Sequence, residues 1–144
     1  MSAVHGEYNL RLLGKVPYQD TSERSLALAY SDPQSVTVSG SATSLPRTGS
    51  SADSGTFGSA DQKFKLLIRH SGGKRRQHVA RLEFVDIVNN PLVPSQTMPV
   101  SAAVTFTVNR PLTGIDAAQA QAIAKGLTAW LTDANVGKLI GQEI

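Results

Sequence analysis

From Phe64 to Phe84 the chain reads FKLLIRHSGGKRRQHVARLEF, with apolar residues on alternate positions. Phe64, Leu66 and Ile68 alternate with Lys65, Leu67 and Arg69; after a break, Ala80, Leu82 and Phe84 alternate with Val79, Arg81 and Glu83. A period of two with one apolar face marks half-buried strands. The break, Ser71-Gly72-Gly73-Lys74, is a Gly-rich step of the kind that reverses a chain. The pattern predicts a long β-hairpin, apolar on its even-numbered side and basic on its odd-numbered side.

Farther on, Val100, Ala102, Val104, Phe106 and Val108 alternate with Ser101, Ala103, Thr105 and Thr107, the clearest strand in the sequence. Between it and the hairpin, Asp86 to Pro99 holds three prolines and an Asn-Asn pair, and reads as an apolar loop packed against something. Toward the N-terminus, Glu7–Leu13 and Ser25–Tyr30 alternate loosely around a loop containing Pro17, Asp20 and Ser22, which predicts an N-terminal hairpin over residues 1–30. Gln34 to Ser39 reads as a short strand. From Gly40 to Ala60 the chain is mostly Gly, Ser, Ala and Thr; such composition buries little surface and predicts an exposed, mobile loop.

The last third changes period. Thr113 and Asp116 read as a capping box that starts a helix near Gly114. Ile115, Ile123, Leu127, Trp130 and Leu131 recur at helical spacing, with alanines between them. Thr132 to Asn135 interrupts that helix, and Asn135 is a candidate cap for a second, lined by Val136, Leu139, Ile140 and Ile144. Strands followed by helices make an α+β chain with an antiparallel sheet. Its 144 residues suit a single domain: hairpin over 1–30, sheet over 31–110, and two C-terminal helices over 113–144.

Charge sharpens the picture through its distribution. The net charge is only +3, yet half of the 14 Lys and Arg lie between Lys63 and Arg81, a stretch without any acidic residue. One-signed blocks of this kind suit a polyanion, although a solvated hairpin tip can also be basic. With no cysteine there is no disulfide framework and no thiolate metal site, which fits a reducing cytoplasm. No apolar run approaches a membrane span, and the first residues lack the regions of a signal peptide, so neither membrane nor export is expected.

The chemistry of enzymes is sparse. His5, His70 and His78 form no HExxH pair, and no Ser sits in a Gly-x-Ser-x-Gly elbow. His70 and His78 could face each other across the hairpin, but two ligands without a carboxylate are too few for a metal. Neither metal nor cofactor is expected, and an enzyme is the weakest of three readings. The other two are an RNA-binding structural protein and a cellular β-rich binding or adhesion module whose basic hairpin meets an acidic partner. Antiparallel neighbours keep the same face, so Lys65, Arg69, Gln77, Arg81 and Glu83 share one side. Thr105 joins them if the Val100–Val108 strand lies alongside, making a platform for phosphates.

From Phe64 to Ile144 the basic hairpin, the Pro-rich loop, the SAAVTFTV strand and the AKGLTAWLTDANVGKLI ending come in an order that resembles the coat proteins of small single-stranded-RNA bacteriophages (levivirus type). The resemblance implies an interlocked homodimer with one continuous sheet, in which each chain's helices lie across the partner's sheet. Ile123, Leu127, Trp130, Leu131, Leu139 and Ile140 would pack there. It implies an icosahedral shell, with Asn89, Asn90, Pro91, Leu92, Val93 and Pro94 in the loop around its symmetry axes. It further implies that Lys65, Arg69, Arg75, Gln77, Arg81 and Glu83, flanked by Arg76, face genomic RNA, and that a stem-loop bound there marks the genome and represses translation. The product would be a virion component assembled in a bacterial cytoplasm. The chain departs from the family pattern in having Ser101, Ala103 and Thr105 where a base-stacking tyrosine is often found, and Leu67 and Val79 where an adenine pocket often has a small polar residue. Electrostatic packaging therefore carries over more directly than recognition of one particular stem-loop.

Overall fold

The structure, a computed structural model, describes residues 30–144; the hairpin expected over residues 1–30 lies outside the described residues, apart from Tyr30. Among the described residues, seven strands precede two helices. Strands β1 (Gln34–Val38) and β2 (Ser41–Leu45) form a two-stranded sheet. Strands β3 (Arg47–Ser50), β4 (Ser54–Gly58), β5 (Phe64–Ser71), β6 (Arg75–Asn89) and β7 (Thr97–Pro111) form an antiparallel sheet in chain order. Helices α1 (Ala117–Trp130) and α2 (Asp133–Ile140) close the chain.

The expected loop over residues 40–60 is instead the greater part of three strands. Ser39 and Gly40, both at positive φ, connect β1 to β2. A two-residue turn of that handedness matches the twist of a hairpin, so Ser-Gly sets the reversal. Few apolar groups were needed because the two large ones in this stretch are placed well. Leu45 is 0% and Phe57 1% exposed, and with Ile68 they form a core ringed by Val36, Phe64 and Leu66. Phe57 stands opposite Leu66, and Gly55 opposite Ile68, so this core lies on the even-numbered, apolar side of the hairpin. The β1–β2 hairpin covers that side over β4 and β5. Small residues also permit close approach: a Cβ on Gly49 would lie 2.9 Å from Thr56 Oγ1.

The expected Asp86–Pro99 loop is shorter than its prolines suggest. β6 continues to Asn89, and Ile87, Val88 and Asn89 pair with Pro99, Met98 and Thr97. Pro99 is tolerated because β7 is the edge strand among the described residues, paired there on one side only. Residues 90–96 alone form the loop, drawn together by Asn90 N–H to the Gln96 carbonyl at 2.8 Å and Leu92 N–H to Asn90 Oδ1 at 2.9 Å. At the other end of β5, the Lys63 ammonium meets the Asp86 carboxylate at 3.0 Å. That contact raises the proton affinity of Lys63 and lowers that of Asp86.

Both helix starts differ from the sequence reading. Asp116, not Thr113, caps α1: its carboxylate accepts Gln119 N–H at 2.7 Å, and Gln119 Oε1 accepts Asp116 N–H at 3.3 Å. Gly114, at φ +93°, is left-handed and cannot begin a helix, which excludes the Thr113 alternative. Thr132 caps α2, while Asn135 lies inside it and donates Nδ2 to the Trp130 carbonyl at 2.7 Å. Ile144 lies beyond the end of α2 at Ile140 and is outside its apolar stripe. Asp116→Ala is expected to cost about 1 kcal/mol. It should appear as a lower thermal midpoint with an otherwise cooperative melt; an unchanged midpoint would mean that the box does not hold α1.

Candidate nucleic-acid interface

The β5–β6 register pairs Lys65 with Glu83, Leu67 with Arg81, Arg69 with Val79 and Ser71 with Gln77. On the far side Arg81 meets Thr105, Val79 meets Thr107 and Gln77 meets Asn109. The odd-numbered residues of three strands thus share one face, as alternation predicts, and Thr105 stands directly beside Arg81. Lys65, Arg69, Gln77, Arg81 and Thr105 are all exposed. The face is a checkerboard, with each cation opposite an apolar or acidic neighbour, which spreads positive charge instead of stacking it.

These cations are not equivalent. Arg81 Nε donates to Glu83 Oε1 at 2.8 Å, so part of its charge is already matched. Arg75 Nε donates to Asn109 Oδ1 at 2.9 Å and its Nη2 to the Asn109 carbonyl at 3.4 Å, which ties the hairpin tip to β7. Lys65 and Arg69 make no ion pair among the described residues, leaving both groups available to an anion. Arg76 does not join them. It pairs with Arg110 and so lies on the even-numbered face, with His70 and His78.

The sequence reading missed the continuation of this face across β3 and β4. Thr56 stands opposite Leu67 and Ser54 opposite Arg69, and Thr48 Oγ1 reaches Thr56 Oγ1 at 3.3 Å. Complete rows therefore read Thr56, Leu67, Arg81, Thr105 and Ser54, Arg69, Val79, Thr107. Hydroxyls flank the basic centre on both sides. A hollow of about 580 Å³ lies among Ser51, Ser54, Leu67 and Arg69, and another of about 270 Å³ among Arg81, Glu83, Ser101 and Ala103. The alternation that could have revealed Ser54 and Thr56 is carried only by Gly55 and Phe57, too little to stand out.

The helices do not cover the apolar face of their own sheet. Ala120 is their one buried residue, and Ile123, Leu127, Trp130, Leu131, Leu139 and Ile140 are all exposed. Between α1 and the end of β7 a cavity of about 340 Å³ is lined by Phe106, Val108, Ile115, Ile123 and Leu127. Val104, on the same apolar face of the edge strand, is 72% exposed.

No family model matches this sequence, and no curated protein is similar to it by sequence. Solved structures are similar in three dimensions. A virus-like particle of bacteriophage AVE019 matches at TM-score 0.67 and 13% identity, over 77% of this chain and 94% of that one. The bacteriophage GA protein capsid matches at 0.56 and 14%, over 78% and 95%. The bacteriophage EMS014 coat protein matches at 0.56 and 18%, over 81% and 99%. The chain has the levivirus-type coat-protein fold. At these identities the likeness is one of backbone path, covering nearly the whole of each neighbour. The residues expected between subunits lie at the end of β6 (Asn89) and in the following loop (Asn90, Pro91, Leu92, Val93 and Pro94), with Leu92 exposed.

Proposed function

We propose that this chain is the coat protein of a single-stranded-RNA bacteriophage, which pairs with itself, builds a closed shell and holds genomic RNA on the odd-numbered face. The observation that carries the reading is the incompleteness of the single chain. Strand β7 is 15 residues long and, among the described residues, unpaired along one edge, and it adjoins an exposed apolar surface that includes Val104, Ile123 and Trp130. A long open edge is a template for another strand, and an apolar patch of this kind marks an interface. A second copy satisfies both at once. Its β7 extends the sheet and its helices cover the apolar side, which leaves the basic side to line the interior.

On that inner face Lys65 and Arg69 take phosphates, Arg81 does so only in part because Glu83 already matches some of its charge, and the rows of Ser and Thr supply neutral donors. The loop after β6 contacts its own copies in the shell. The particle would assemble in the cytoplasm of a bacterial host, and a stem-loop bound on the same face would serve packaging and translational repression.

Expression of the full chain, followed by electron microscopy and the ratio of absorbance at 260 and 280 nm, tests the reading. Uniform RNA-filled particles are expected; a nucleic-acid-free monomer refutes it. Arg69→Ala with Arg81→Ala is expected to leave the paired chains folded but to lower RNA per particle and flatten its loss with added salt. Particles with unchanged RNA content would remove these two residues from the interface.

A further inference from the structure

On the even-numbered face near the hairpin tip, His70 of β5 and His78 of β6 are direct cross-strand partners. Their rings meet edge to face with centroids 5.0 Å apart, and their Nδ1 atoms lie 3.0 Å apart. At that distance one Nδ1 carries a proton and the other accepts it. The contact thus survives in the neutral pair, or with one extra proton on the donor ring, but not with both rings charged. The adjoining pair on the same face is Arg76 opposite Arg110. The charged groups facing His78 are therefore His70 from β5, Arg76 from its own strand and Arg110 from β7. On the β4 side, the Asp53 carbonyl accepts His70 N–H at 2.7 Å, and Asp53 lines the same hollow as His70.

We propose that the His70–His78 pair is a proton-sensitive latch on the β5–β6 hairpin, closed by one Nδ1–H···Nδ1 bond and opened when acid charges both rings. Opening is by protonation alone, and two protons from solvent are needed. One goes to the free Nε2 of the donor ring and leaves the bond in place. The other goes to the accepting Nδ1 lone pair, after which both imidazoles are cations with only donor nitrogens and the bond between them is lost. Burial, then the charges of His70, Arg110 and Arg76, hold the proton affinity of His78 below its ordinary value of 6.5. The unfolded chain therefore binds the proton more readily. Stability is full above pH 6.5 and is lost as the pH falls from there through the depressed value of the folded chain. The same two guanidinium groups repel a divalent cation, which makes this a proton site and not a metal site.

The latch rests on the geometry of one chain and stands or falls separately from the coat-protein reading. Deuterium exchange at the histidine C2 position of the full-length protein, followed by mass spectrometry, gives the titration of each imidazole even in a large assembly. The expected result is a His78 midpoint below its ordinary 6.5 that rises toward that value in His70→Gln, where the neighbouring imidazole charge is gone. Backbone exchange over Phe64–Phe84, corrected for intrinsic rates, should show protection falling about tenfold or more from pH 7.5 to pH 5.0. His70→Gln, which can still bond to His78, should flatten that fall. A His78 midpoint at or above 6.5, or a pH profile of protection shared by the wild type and His70→Gln, would overturn the proposal. The wild-type titration alone decides the matter if the variant fails to fold.

Discussion

Trp130→Ala is expected to prevent particle formation while leaving the secondary structure of the individual chain intact. Trp130 lies at the end of α1 with 55% of its surface exposed, and it continues the stripe begun by Ile123 and Leu127. Within one chain this ring has little to lose. In the proposed pairing it would lie against a second chain's sheet as an aromatic anchor, the residue type whose truncation costs most at interfaces, about 2–4 kcal/mol. At roughly 1.4 kcal/mol per factor of ten, pairing weakens by about 30- to 1,000-fold. The proposed shell would repeat that loss at every pair of chains, so assembly should fail at concentrations where the unmodified chain is expected to form particles. Sedimentation velocity distinguishes the outcomes, with circular dichroism as the check on folding. Thr128→Ala, whose hydroxyl bonds only the Lys125 carbonyl on its own helix at 3.0 Å, should assemble normally. Wild-type particles from Trp130→Ala would sink the idea that this stripe is an interface.

The sequence was readable where large apolar groups alternate without interruption. Phe64–Phe84 and Val100–Val108 carry enough of them for strand and face to be deduced, and the structure lays the second beside the first with Thr105 on the face of Arg81. Residues 40–60 were unreadable because their strand signal rests on Leu45 and Phe57, diluted among glycines and hydroxyls. Hydrophobic pattern measures how much a segment can bury, and these strands bury little per residue while packing closely. The helix cap failed for another reason. Two overlapping motifs, Thr113 with Asp116 and Asp116 with Gln119, compete, and only the left-handed Gly114 decides between them. Arg76, expected to flank the basic residues, stands on the face opposite to them, because one step along a strand moves a side chain across. Thr48, Ser54 and Thr56 went unseen because the strands that present them were unseen.

Phe57→Ala carries the second large expected effect, and it bears on those hidden strands. The ring is 1% exposed, packed with Leu45 and Ile68, opposite Leu66 in register, and covered by the Arg47 guanidinium at 5.0 Å from its centroid. Removing a buried aromatic ring costs about 3–5 kcal/mol, through lost burial and the cavity left behind. Whole domains are stable by only about 5–15 kcal/mol, so a core this small has little reserve. A drop of roughly 10–25 °C in the thermal midpoint should follow at a shift of about 3–6 °C per kcal/mol. Phe57→Leu keeps most of the volume and should lose about 1.5 kcal/mol or less. The contrast separates packing from mere hydrophobicity. Were residues 40–60 the exposed loop that their composition suggests, both variants would melt within about 0.5 kcal/mol of the unmodified chain. A large loss for alanine and a small one for leucine is the result that a strand with its ring in the core requires.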